Sequence, residues 1–282
     1  MNFAKRKNKS TRRIVAFCGL MIFSFNTGFA ADKHLHLGVY PHLSAEHVDK
    51  IFSPMVKLMA DAIGVEIQFD PYLDLKHFPE KLRQGRYDIV FVQPFDYVKI
   101  NKAHAYQPLA SQNKDLQASI VVKPNRNIFT IEDLRGRTVM LPHRNTAVSY
   151  LVREFFHQRG FNENKDIFFK YDRTHLSCIQ RIIFGFADAC GVVNGAVEFF
   201  VSMTSIDLRV VDVTPASPHA LFAVHPKMDK SYVMKMKNVL TRWSKTKPAL
   251  AHLQQGRMVD FRPVLDSEYN SVRAIIKRVD SL

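Results

Sequence analysis

Cysteine is scarce in this chain, three in 282 residues, and glycine and proline are modest at 11 and 13. Those counts exclude a disulfide-built miniature scaffold and a low-complexity linker, and no internal repeat is visible. No apolar run reaches the roughly 20 residues that a membrane-spanning helix requires. Acidic residues are absent from positions 1–30, which carry Lys5, Arg6, Lys7, Lys9, Arg12 and Arg13. What is there is 46% hydrophobic and 23% charged, the profile of one or two well-cored globular domains.

The acid-free segment has a basic stretch to Arg13, an apolar run from Ile14 to Phe25, and small residues at Gly28 and Ala30. This order predicts a secretory signal over residues 1–30, cleaved after Ala30, and therefore an exported protein. Phe17 in front of Cys18 argues against lipid attachment there. Removing the six cations lowers the net charge from +14 to about +8, dispersed along the remaining chain. No dense Lys/Arg run interleaved with aromatics is present, so nucleic acid is not expected as a partner and a small anionic ligand suits the charge better.

The pattern beyond the signal is α/β. Leu35 to Tyr40 alternates as a strand, and Val48, Ile51, Met55, Leu58, Met59 and Ala62 recur at helical spacing, with Ser44 or Ser53 as caps and Pro54 as a break. Val65, Ile67 and Phe69 form a second strand. Asp74 caps a helix through Phe78 and Leu82, and Tyr87 to Val92 is a continuous apolar strand of the buried parallel kind. The series restarts after Ala118 to Val122: a short helix near Thr130 to Leu134, strand Thr138 to Leu141, helix Thr146 to Gln158, strand Ile167 to Phe169, helix from Thr174, strand Asp188 to Val193, and strand Asp207 to Val213. Two such series predict two lobes with a cleft between them, residues 31–121 plus 216–282 forming one and 122–215 the other, with crossovers near Val122-Lys123 and Thr214-Pro215. Leu221 to Val224 returns the chain to the first lobe, and the basic C-terminal helices pack outside it.

Ligands of open α/β sheets sit at strand carboxyl ends. The loops to inspect are Tyr40-Pro41-His42, Gln93 to Tyr97, Pro142 to Tyr150, and Thr174-His175 with Asn194-Gly195. The third has the sharpest chemistry: backbone N–H groups of Ala147, Val148 and Ser149 at a helix start attract an anion, Thr146 adds a hydroxyl, and His143 and Arg144 add positive potential. The bland alternative is that Asn145 or Thr146 only caps the helix. Tyr40, Phe95 and Tyr97 are cleft walls or core, and His175 is an anion donor or an exposed helix start. No G-x-S-x-G, H-E-x-x-H or C-x-x-C motif occurs, so an enzyme is not expected. Cys190 lies in an apolar strand, as an inert thiol or bonded to Cys178.

Several segments in order resemble one family: Leu37 to Pro41, Phe52 to Val56, Gly85 to Val90, Gln93 to Val98, Ile131 to Gly136, Ser149 to Leu151, and Gly185 to Cys190. The chain resembles the phosphate/phosphite/phosphonate periplasmic binding proteins of ABC transporters, the PhnD-like branch of the type II solute-binding fold, over roughly residues 35 to 225. The resemblance implies two lobes, each a mostly parallel sheet flanked by helices, closing on an anion. It places ligand contacts at Tyr40, Gln93, Phe95, Tyr97, Thr146, Ala147, Val148, Ser149, His175 and Asn194. The family's helix start reads Ser-Thr-Ser-Gly-Tyr, whereas this chain has Thr146-Ala147-Val148-Ser149-Tyr150 and so loses two hydroxyls. Asn194 stands where the family has an acid able to accept from a ligand amine.

The expected protein is thus a monomeric, non-catalytic, periplasmic carrier of a phosphonate-, phosphite- or phosphate-like anion, needing no cofactor or metal and delivering to an ABC transporter permease. The rivals are a sensor subunit for a signalling receptor, an enzyme on this fold using Cys190 or His175, and a metal carrier using His34 and His36.

Overall fold

The computed structural model describes residues 1–2, 34–41, 45–69, 71, 77–247 and 260–281. Residues 3–30 of the expected signal segment, His42, Ser44 and Asp74 lie outside the described residues. From His34 onward the chain forms one compact unit containing two sheets.

The first sheet joins β1 (Leu35–Val39), β2 (Ile67–Phe69), β3 (Ile89–Val92), β4 (Gln107–Gln112), β10 (Leu221–Val224) and β11 (Phe261–Arg262) in the order β11-β4-β10-β3-β1-β2. The second joins β5 (Ala118–Val122), β6 (Thr138–Leu141), β7 (Phe168–Tyr171), β8 (Ala189–Val193) and β9 (Arg209–Val213) in the order β7-β6-β8-β5-β9. In each sheet a parallel trio, β2-β1-β3 or β7-β6-β8, is extended by antiparallel strands. The inner strands β3 (IVFV) and β8 (ACGVV) are apolar on both faces because helices cover both sides, which is why they read as unbroken hydrophobic runs, whereas the outer strands β2 and β7 carry exposed residues.

Helix α1 (Ala45–Ile63) runs through Pro54, where the sequence predicts a break. Proline removes one backbone bond and crowds the preceding turn. The cost is met by the helix's buried face, Ile51, Phe52, Met55, Val56 and Met59, packed under β1 and β3. Helices α2 (His77–Arg83), α3 (Pro94–His104) and the terminal α8 (Asn270–Val279) lie on the opposite face, while α7 (Lys230–Leu240) packs beside α1. The second sheet carries α4 (Ala147–Gln158), α5 (His175–Ile183) and α6 (Asn194–Thr204).

The crossovers sit earlier than the sequence predicts on the first pass. All of β5, placed by sequence in the first lobe up to residue 121, pairs with β8 and β9 of the second sheet, so the chain changes sheets at 113–117 rather than at Val122-Lys123. The two crossing segments bond to each other. Leu116 and Ser217 exchange backbone bonds of 2.8 and 2.9 Å, and Ala118 N–H donates to the Thr214 hydroxyl at 2.9 Å. An apolar run such as ASIVV has no marker of which sheet it will join; the partner strands decide.

Close packing at two strand glycines gives a direct test. A Cβ on Gly38 would lie 2.8 Å from the Tyr87 ring, and one on Gly191 would lie 2.7 Å from Leu141 Cδ2 and 2.8 Å from Val152 Cγ2. Gly38→Ala and Gly191→Ala are each expected to cost about 1–3 kcal/mol through overpacking, read as a lower midpoint in denaturant melts.

Candidate functional site

The carboxyl ends of β1 and β3 open directly into Tyr40 and Gln93, and those of β6 and β8 into Pro142 and Asn194. Because β1 is parallel to β3 and β6 to β8, each pair ends on one sheet edge. The two edges meet at Gln93. Its Oε1 accepts from the Ala147 N–H at 2.7 Å, while its Nε2 donates to Asp96 Oδ2 at 2.8 Å and to the Asn145 carbonyl at 3.1 Å. One amide side chain from the first sheet therefore occupies the first free donor of α4 on the second, the place where orphan N–H groups and the helix dipole favour an acceptor.

Asp96 completes this corner. Burial pushes its carboxyl above the usual carboxylate range, against the opposing influence of the Gln93 hydrogen bond and the Lys99 charge. Tyr40 belongs to the same group: its ring stacks on Phe91 at 5.9 Å, and burial, with Asp96 nearby, raises its phenol. Next to them Phe95, fully buried, stacks on Tyr150 at 4.5 Å with the planes 14° apart, and Lys99 donates to the Tyr150 hydroxyl at 2.9 Å. Ala147, Tyr150 and Leu151 of α4 thus share a core with Val90, Val92 and Phe95 of the first sheet.

The structure separates the sequence-derived residues into those that converge and those that do not. Tyr40, Gln93, Phe95, Thr146 and Ala147 gather around the α4 start. Thr146 is its N-cap, with its hydroxyl accepting from the Ser149 N–H at 3.3 Å, so capping and proximity to the corner coexist. Ser149 is fully buried and its hydroxyl bonds the Pro142 and His143 carbonyls at 2.9 and 3.1 Å, which pins the β6–α4 turn. Val148 turns its side chain into the core of the second sheet. Tyr97, expected as a wall, faces away: it is buried against Tyr269 at 4.8 Å and donates to Asp266 at 2.7 Å. As part of α3 it lies on the face turned to α8, where burial and the bond to Asp266 raise its phenol.

On the far strand, Asn194 Oδ1 accepts from the Ser119 hydroxyl at 2.7 Å. His175 begins α5 behind Thr174, whose side chain forms a capping box with Ser177. Asp172 organises that turn by accepting from Ser177 at 2.9 Å and from Arg181 at 2.7 Å. Cys178 and Cys190, left open by the sequence, are bonded to each other, joining α5 to β8. His34 pairs with Glu66 at 3.0 Å, and among the described residues no three His, Cys, Asp or Glu side chains are grouped to hold a metal ion. Asp96 and Asn145 stand out in the sequence only as members of their loops, and Lys99 does not stand out at all. An acid on the first turn of a helix entered straight from an apolar strand was the available signal.

Residues 37–269 match the family model described as ABC transporter, phosphonate, periplasmic substrate-binding protein. The chain belongs to that family. Among solved structures it is similar to PhnD1 from Prochlorococcus marinus in complex with methylphosphonate, at 18% identity and TM-score 0.76, covering 89% of this chain and 100% of the other. It is also similar to XAC2383 from Xanthomonas citri bound to chloride ion, at 19% identity and TM-score 0.72, covering 88% and 99%. A phosphonate-transporter binding component, PA3383 from Pseudomonas aeruginosa, aligns at 13% identity and TM-score 0.72, covering 88% of each chain. Likeness at such identity establishes the type II periplasmic binding protein fold. Within the phosphonate-binding family, the function is solute binding for a transporter.

Proposed function

We propose that this chain binds a small phosphorus oxyanion, such as methylphosphonate, phosphite or phosphate, at the α4 start between its two sheets, and hands it to an ABC transporter permease. The observation that carries the reading is the Ala147 N–H bond to Gln93 Oε1, since an amide oxygen there marks where an anionic oxygen binds. The ligand takes the place of that oxygen, Gln93 swings aside, and Tyr40 and Phe95 wall the corner. Thr146, His175 and Asn194 contribute the remaining polar contacts. The lobes, 34–112 with 218–281 and 118–213, hinge at the paired crossovers near Leu116 and Ser217.

The protein acts as a monomer in the periplasm after cleavage of the signal segment, and it performs no chemistry on the ligand. The buried Cys178–Cys190 bond supports an oxidising compartment, and it removes both thiols as nucleophiles. The Ser149 hydroxyl is buried in the β6–α4 turn and engaged by the Pro142 and His143 carbonyls.

Calorimetric titration of the ligand-stripped protein with phosphate, phosphite, methylphosphonate, 2-aminoethylphosphonate and sulfate tests the assignment. A micromolar or tighter response to one phosphorus oxyanion, at least about −8 kcal/mol, is expected. Silence across the panel from a folded protein would overturn it.

Asp96 makes the affinity depend on pH. Its carboxyl titrates above the ordinary range, so it is neutral and able to donate at lower pH and becomes a repulsive carboxylate as pH rises through its raised pKa. The ratio of wild-type to Asp96→Asn affinity is expected to fall with rising pH, the variant binding about tenfold tighter on the alkaline side. Comparing the two proteins at each pH cancels the titration of the ligand itself. A ratio independent of pH would remove Asp96 from the site.

A further inference from the structure

We propose that the strand end of the second sheet opposite the site is a docking surface for an anionic phospholipid membrane. Phe184 and Phe186, 72% and 62% exposed, project from the turn that leads into β8, on either side of Gly185, whose φ of +79° suits glycine. Phe129, 62% exposed, projects from the segment that follows β5. Because β5 is antiparallel to β8, with Val122 opposite Ala189, both segments leave the sheet at the same end.

Cations are threaded between the rings. The Arg209 guanidinium lies 4.4 Å from the centre of the Phe129 ring and donates to the carbonyls of Pro124, Arg126 and Ile128 at 2.6, 3.2 and 3.2 Å. Arg126 in turn reaches the Phe184–Phe186 turn, its Nη2 standing 3.7 Å from where a Cβ on Gly185 would be. Arg181 lies 5.6 Å from the Phe186 ring centre. A cavity of about 380 Å³ opens in the middle of the patch. Its lining includes Lys123, Asn125 and Arg126 and has no carboxylate.

Large rings exposed singly on two adjacent turns gain little in water, whereas at a bilayer interface they bury apolar area while the flanking cations meet lipid phosphates. Charge therefore selects the partner: a surface rich in phosphatidylglycerol matches a tip carrying Lys123, Arg126 and Arg209, Arg181 being paired with Asp172, and the cavity is of a size and sign to receive a phosphodiester headgroup. The surface lies at the far end of the second sheet from Gln93 and Ala147, so a bound membrane leaves the ligand corner clear.

Vesicle flotation tests this with purified protein, checked by intact mass to begin beyond the apolar run of Ile14 to Phe25. At about 0.1 M salt the protein is expected to float with phosphatidylcholine vesicles containing about one-third phosphatidylglycerol and not with phosphatidylcholine alone, and to be released at about 0.5 M salt. Phe184→Ser/Phe186→Ser is expected to lower the bound fraction about tenfold. Phe199→Ser/Met203→Ser, exposed residues of α6, should leave it unchanged. All variants alter exposed side chains, and unchanged melting and ligand titration verify that they fold. Absence of binding to anionic vesicles, equal loss in both double variants, or capture of the Phe184 turn by an acidic protein segment in place of lipid would each overturn the proposal.

Discussion

Thr146→Glu is expected to weaken oxyanion binding at least about a hundredfold, the largest effect of any single change at the site. The new carboxylate stands at the N-cap of α4, where it takes the free helix donors for itself and repels a second negative charge arriving at Ala147. Thr146 now caps through its hydroxyl to the Ser149 N–H, so some stability is also at stake, about 1 kcal/mol. Thr146→Ser separates the two effects. It keeps the hydroxyl acceptor and is expected to bind within a few-fold of wild type, whereas the glutamate variant stays folded in melts and gives no heat on titration. Full affinity in the glutamate variant would move the anion away from this helix.

Breaking the Cys178–Cys190 bond is the second large effect, this time on stability. The two residues are 12 apart in sequence and wholly buried between α5 and β8, beneath Met140. Opening a loop of that size releases denatured-state entropy worth about 3 kcal/mol, so Cys178→Ala/Cys190→Ala, or reduction of the wild type, should lower the melting midpoint by roughly 6–12 °C. The bond joins the base of α5 to the strand that leads to Asn194, while Gln93 and Ala147 are held by other contacts. Affinity should therefore change much less than stability. Superimposable melts with and without reductant would show that the bond contributes nothing.

Much of this architecture is legible in the sequence because burial leaves a strong imprint. The runs at Ile89–Val92 and Ala189–Val193 are apolar on both faces, as central parallel strands must be, and the glycines at 64, 85, 136, 160 and 185 all take the positive φ that ends or turns a segment. What was not legible depends on partners distant in sequence. Nothing in Ala118–Val122 announces that its neighbours are β8 and β9. Pro54 reads as a stop because local propensity argues for one, and only the packing beneath the helix overrides it. Tyr97 and Phe95 sit two residues apart after the same strand, yet one faces α8 and the other α4, a difference set by the turn of α3. The Gln93 bonds span more than 50 residues and two sheets, so no local pattern encodes them.

The stack of Phe95 on Tyr150, together with the Gln93 bonds, means that the two sheets already hold each other through the protein's own side chains. Capture then begins with a self-bound receptor. If only a fraction of molecules has Gln93 turned away at any moment, the apparent affinity is lower than the intrinsic one by that fraction, and the association rate reports how often the corner opens. In such a carrier the Gln93 bonds and the Phe95–Tyr150 stack hold the ligand's place until it arrives, and they must break before the corner can admit it.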